Sequence, residues 1–125
     1  VRLLGRNIER RQLRHLLGRA FATAASATLS LPVYDTQCGA KMWRPTPVLR
    51  AVFDEPFGSR WIFDVEILAR YARAYGWDTG ALSARIVELP LSEWREVSGS
   101  RLKSTDFLQS AADLASIAWR YRIRR

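Results

Sequence analysis

An α/β fold, helices alternating with two short strands, is predicted by three features of this 125-residue chain. Apolar residues recur at helical spacing in four separate stretches. A run from Ala84 to Leu89 is β-branched at its centre and stops at Pro90, and turn residues punctuate the intervals. With 48% hydrophobic residues, 7 glycines and 5 prolines, the composition is that of one domain or part of one, not of a linker.

The elements follow in order. Asn7 is a candidate N-cap for a long first helix, along which Leu13, Leu16, Leu17, Ala20, Phe21, Ala24 and Thr28 keep helical spacing until Pro32. "YDTQCG" then reads as a loop leading into a short extended segment, Ala40 to Arg44. Thr46 followed by Pro47 has the form of an N-cap with proline at the first helical position, starting a short helix that runs to about Phe53. A second substantial helix begins at Phe63 and carries Val65, Ile67, Leu68, Tyr71, Ala72 and Tyr75, with Gly76 placed to end it in a left-handed turn. After the Ala84 to Leu89 strand, "SEWREVSGSRLK" is a polar loop. Ser104 or Thr105 caps a last helix whose predicted stripe is Phe107, Leu108, Ala111, Leu114, Ala115, Ala118 and Trp119. Two or three strands are too few to cover four helices, so part of the sheet is expected to lie outside this chain.

The formal charge of +8 is carried by eighteen arginines and two lysines, so the cationic groups are mostly planar forks suited to phosphate or carboxylate oxygens. An anionic partner is expected, whether a nucleic acid, an anionic membrane surface or a phosphorylated small molecule. The single Cys38 excludes an internal disulfide and, with the lone His15, any zinc site of Cys and His ligands, which fits a reducing compartment. The longest mostly apolar run, "AFATAASATLSLPV", is too short and too rich in Ser and Thr to span a bilayer, and no signal-peptide pattern is visible. No helix-turn-helix, zinc finger or RRM aromatic signature supports a nucleic-acid-binding module, which leaves a non-catalytic basic binding module as the competing class.

Three segments in order, "DTQCGAKMWR", "WIFDVEILARYARAYG" and "IVELPLSEWREVSGSRLKSTD", resemble the carboxyl-terminal half of family 2 glycosyltransferases similar to dolichyl-phosphate β-glucosyltransferase and the related mannosyltransferases. The opening "RLLGRNIERRQLRHLLGRAFATAAS" resembles the arginine-bearing strand and helix that precede these segments. The resemblance implies the acceptor-side part of a single GT-A domain spanning residues 1–125. It also implies transfer of a hexose, glucose first, from a nucleotide-diphosphate sugar to a polyprenyl phosphate with inversion, at the cytoplasmic face of a membrane. Such enzymes carry a D-x-D pair for a divalent metal, Mg or Mn; no such pair occurs here, and the chain opens on Val1, so it is expected to enter the fold partway. Ala40 departs from the family, which has an aromatic after "QCG".

Within that resemblance, Asp64 in "FDVE" is the expected catalytic acid or acceptor orienter; otherwise it is a helix-start acid favoured by the dipole. Glu66 lies about 200° from it around a helix and is read as structural. Gln37 is expected to bond the donor sugar or diphosphate, or else its own loop, and Cys38 beside Gly39 to let the loop backbone pack tightly under a ligand. Lys41 reaches a phosphate or is a solvated charge. Arg95, Ser100 and Lys103, around Gly99, are the expected phosphate contacts, with a basic connecting loop as the alternative. His15 and Trp43 read as a helix-face histidine and a core aromatic. The arginines crowding Arg120 to Arg125 meet anionic lipid headgroups or solubilise a helix end.

Overall fold

Capping chemistry sets most of the helix boundaries. The computed structural model describes residues 12–90, Ser92 and residues 104–123, with side chains of the first helix described from Gly18 onward. The candidate cap Asn7 and the polar loop from Glu93 to Lys103 lie outside the described residues. Helix α1, Gln12–Leu29, stops before Pro32: Ser30 takes a left-handed φ of 53°, and the Leu31 and Ser30 N–H groups donate to the carbonyls of Ser26 and Ala27. Helix α2, Pro47–Phe53, starts as the sequence predicts, the Leu49 N–H donating to the Thr46 hydroxyl at 3.1 Å. Helix α3, Phe63–Ala74, ends at Gly76, whose φ is 61°, with the Trp77 N–H returning to the Ala72 carbonyl at 2.7 Å. Glycine adopts that conformation without the Cβ penalty.

The α/β expectation is corrected: among the described residues there are helices and no strands. Asp78 accepts the Ala81 N–H at 3.0 Å and caps a short helix α4, Thr79–Ser83, which the sequence reading missed. The turn at Ala84 and Arg85 that follows this helix replaces the start of the predicted strand. The rest, from Ile86 to Pro90, and the segment from Ala40 to Arg44 pair with no neighbouring strand among the described residues. An extended segment is a strand only when a ladder partner satisfies its backbone.

Helix α5, Ser104–Ala118, continues into a wider π-type turn, Trp119–Ile123. Its predicted stripe is also corrected. The buried residues are Ser110, Leu114, Ile117 and Tyr121, whereas Leu108, Ala111, Ala115 and Trp119 are exposed. The helix is apolar on more than one side, so spacing alone does not pick the inner face. Two polar side chains are buried because they are bonded: the Ser110 hydroxyl donates to the Asp106 carbonyl, and the Tyr121 hydroxyl to Glu66. On α1 the inner face is likewise shifted, with Ala25 and Leu29 buried while Ala20 and Ala24 are exposed.

Helix α3 is the centre of the fold. Its residues from Asp64 to Arg70 are all buried, and Val65, Leu68, Ala69 and Ala72 pack with Ala25, Leu29 and Leu31 on one side and Leu114, Ile117 and Tyr121 on another. Two charges lie inside this packing. All five guanidinium N–H groups of Arg70 are used, on the carbonyls of Val52, Glu55 and Pro56, the Tyr121 hydroxyl and Glu66 Oε1. Glu66 is 1% exposed and accepts from Arg70 and Tyr121 on Oε1 and from the Gly58 and Ser59 N–H groups on Oε2.

Burial pushes the Glu66 pKa up, but the bonds from Tyr121, Arg70, Gly58 and Ser59 outweigh it and hold the carboxyl below its ordinary 4.5. A carboxyl depressed in the folded state stabilises fully above its unfolded value and loses that contribution as pH falls through the folded one. Glu66→Gln strands the buried Arg70 charge and is expected to cost roughly 3–5 kcal/mol near neutral pH. The gap to the parent should narrow in acid, below the ordinary carboxylate range, as the parent's own carboxylate takes up a proton. Urea midpoints of the two proteins at neutral and acid pH check this; a gap that stays constant would place the depressed titration elsewhere.

Candidate functional site

The site is built where the "YDTQCGAK" loop meets the start of α3. Glu88, in the extended segment after α4, holds the loop's beginning: its carboxylate accepts the Tyr34 N–H at 2.9 and 3.0 Å and the Asp35 N–H at 3.1 Å. From the other side, the Ser26 hydroxyl of α1 donates to the Val33 carbonyl at 2.7 Å, and the Arg19 guanidinium lies 4.4 Å from the Tyr34 ring centre. Asp35 Oδ1 accepts the Gln37 N–H at 3.0 Å, a local turn typical of Asp. The loop is thereby fixed before it reaches Lys41. Glu88 went unremarked in the sequence reading; the available signal was a single acid inside "RIVELPL", a run otherwise lacking acids.

Lys41 reaches across the loop. Its ammonium donates to the Cys38 carbonyl and pairs with Asp64 Oδ1 at 3.2 Å. An ammonium has three N–H donors, so among the described residues one remains beyond these two partners. Asp64 stands in the first turn of α3, where a carboxylate is favoured by the helix dipole, and its residue is 8% exposed. Two residues further, Glu66 turns inward to Arg70 and Tyr121. The two acids of "FDVE" therefore serve separate environments.

Of the other candidates, Gln37 is exposed, with no partner to its side-chain amide among the described residues, and Cys38 is half-buried with a free thiol. A Cβ at Gly39 would meet nothing within 4 Å, so the loop backbone there is open to the surroundings. Arg95, Ser100 and Lys103 lie outside the described residues. Trp43 is half-buried and stacks on Tyr71 at 5.7 Å rather than entering the core.

Exposed aromatics border the Asp64 end of α3. Trp61 and Phe63 flank Ile62 and are 45% and 41% exposed. From Phe63 the rings continue through Phe57 at 6.1 Å, Phe53 at 5.5 Å and Trp43 at 6.2 Å, and Met42, next to Trp43 in the chain, is almost wholly exposed. A paired ammonium and carboxylate beside an apolar border suits a ligand with an anionic head and a hydrocarbon body. Among the described residues, no three metal-ligating side chains converge, and Asp64 is occupied by Lys41. The described residues therefore do not form a site for the divalent cation that the resemblance implies.

The chain is similar to curated dolichyl-phosphate beta-glucosyltransferases from several organisms. It is 33% identical over 115 residues to that of Saccharomyces cerevisiae, covering 91% of this chain and 31% of the yeast protein. A Trichomonas vaginalis protein of the same name is 34% identical over 100 residues, covering 74% of this chain and 28% of that protein. The Drosophila melanogaster protein is 34% identical over 96 residues, covering 73% and 25%. The chain thus spans less than a third of the length of these relatives. No family model matches it, and no solved structure does.

Asp64 and Glu66 should separate in a stability measurement. Asp64 pairs with a part-exposed lysine, so Asp64→Asn is expected to change unfolding free energy by about 1 kcal/mol or less. Chemical denaturation of Asp64→Asn beside Glu66→Gln tests this. Equal losses would make Asp64 a structural acid like its neighbour.

Proposed function

This chain belongs to the dolichyl-phosphate β-glucosyltransferase-like glycosyltransferases of family 2, and we propose that it forms the acceptor-side, carboxyl-terminal part of a single GT-A domain. That domain transfers a hexose, glucose first, from a nucleotide-diphosphate sugar such as UDP-glucose to a polyprenyl phosphate, at the cytoplasmic face of a membrane. The observation supporting this reading is the Lys41–Asp64 pair at an aromatic-bordered helix start.

The reaction is a single displacement. A lipid-phosphate oxygen forms a bond to the anomeric carbon as the bond from that carbon to the nucleotide diphosphate breaks, and the electron pair leaves with the diphosphate. The configuration inverts. The attacking oxygen is already ionised near neutral pH, so the site has less need of a strong base than of alignment and charge screening. Lys41 offers its remaining N–H to a phosphate oxygen, and Asp64 holds that ammonium in place and orients the acceptor. Exposed Gln37 bonds the donor. Arg95, Ser100 and Lys103 add phosphate contacts from their glycine-containing loop. The divalent cation is held by residues outside this stretch, and the 125 residues alone transfer no sugar.

In the protein carrying the rest of the domain, Asp64→Asn should lower turnover far more than a conservative change at a structural residue that leaves the fold intact. Lys103→Met should reduce kcat/KM for one phosphate-bearing substrate by roughly ten- to a hundredfold, the worth of a charge-assisted bond. Arg85→Met is the control, since Arg85 bonds the Ala81 carbonyl and lies over Tyr75. Small and similar losses for Asp64→Asn, Lys103→Met and Arg85→Met would remove both candidates from the site.

A further inference from the structure

Glu88 is exposed, yet its carboxylate is bound to backbone. It lies in the extended segment after α4 and takes no part in the apolar core of the described residues. Its side chain nevertheless reaches 54 positions back along the chain to two consecutive N–H groups. Oε1 accepts those of Tyr34 and Asp35, and Oε2 shares the Tyr34 N–H. An ionised acceptor makes such bonds roughly twice as strong as neutral ones. Because these groups are exposed, water replaces either partner at small cost to folding. What the bonds set is the position of the loop.

The two N–H groups stand at the head of a short relay. Asp35, held through its N–H, accepts the Gln37 N–H on Oδ1 at 3.0 Å. The next carbonyl along, that of Cys38, accepts from the Lys41 ammonium, whose other partner is Asp64 Oδ1 at 3.2 Å. Each step from Glu88 to Lys41 is a hydrogen bond or a few residues of chain, so a shift at Tyr34 and Asp35 is passed on to the ammonium. Ser26 and Arg19 hold the α1 side of the loop through the Val33 carbonyl and the Tyr34 ring. Among the described residues, Glu88 alone takes the Tyr34 and Asp35 N–H groups. As a bare charge Glu88 would repel a phosphate-bearing substrate, and neutralising it would improve binding. As a clamp, its loss would loosen Lys41. The two roles differ in sign.

We propose that Glu88 is a positioning residue for the transfer reaction, setting the place of Lys41 through the Tyr34 and Asp35 backbone. This rests on the polyprenyl-phosphate reading. The measurement is kcat and KM in the protein carrying the rest of the domain, with UDP-glucose and a polyprenyl phosphate as substrates. Glu88→Ala should lower kcat about tenfold or more, with each KM within about threefold of the parent, because alignment is lost rather than affinity. Glu88→Gln keeps an oxygen for both N–H groups and should recover most of that loss. Lys41→Met should itself lower kcat at least as far, and adding Glu88→Ala to it should cost less than about twofold more, since the clamp then has no ammonium to place. Urea midpoints of both Glu88 variants should match the parent. Parental kcat in Glu88→Ala beside an impaired Lys41→Met would overturn this proposal alone. So would losses that multiply in the double variant, a lowered KM in Glu88→Gln, or a kcat loss tracked by a falling urea midpoint, which would leave Glu88 a structural acid. Parental kcat in both Lys41→Met and Asp64→Asn would overturn the transfer reading itself, and this proposal with it.

Discussion

The buried Glu66–Arg70–Tyr121 cluster is the interaction on which the rest of the structure depends. A carboxylate and a guanidinium taken out of water cost far more than they return unless every lone pair and N–H is matched, and here the matching is complete. The partners that complete it are mostly not on α3. Arg70 gathers carbonyls from the end of α2 and the loop after it, Glu66 gathers N–H groups from Gly58 and Ser59, and Tyr121 comes from the end of α5. The end of α2, the loop after it and the turn that follows α5 are thereby held to one helix. Hydrophobic packing of Leu29, Val65 and Leu114 supplies cohesion, and the polar cluster supplies register.

That register decides how "FDVE" is used. Because Glu66 is bound inward from three directions, α3 has little freedom to rotate about its axis, and Asp64 is directed toward the loop carrying Lys41. Glu88 and Ser26 fix that loop independently. The Lys41–Asp64 pair is thus a junction between two separately anchored parts, which suits a site that must hold two charged groups at a set spacing.

Local chemistry was legible in the sequence, and pairing across the chain was not. Thr46 with Pro47 and Gly76 after Tyr75 each carry their own structural consequence, and the helix boundaries follow them. The Asp78 cap was equally local, but the β-branched "RIVEL" masked it, and that segment's strand character needs a neighbour that the described residues lack. The inner face of α5 was misjudged because Ser110 and Tyr121 count as polar in any periodicity, although a bonded hydroxyl is buried readily. The roles of Arg70, Glu88 and Tyr121 depend on partners up to 55 positions distant, which spacing cannot reveal. The family resemblance directed attention to Asp64 and Lys41, and their meeting is a geometric result that the sequence did not contain.

One further linkage connects the outer helix to the site. The Ser59 hydroxyl donates to Asp113 on α5 and accepts the N–H of Ile62, the residue before α3 begins. Asp113 thus joins α5 to the Asp64 end of α3 through a short chain of hydrogen bonds. Glu66 binds the same Ser59 residue through its backbone, which ties this link to the central cluster.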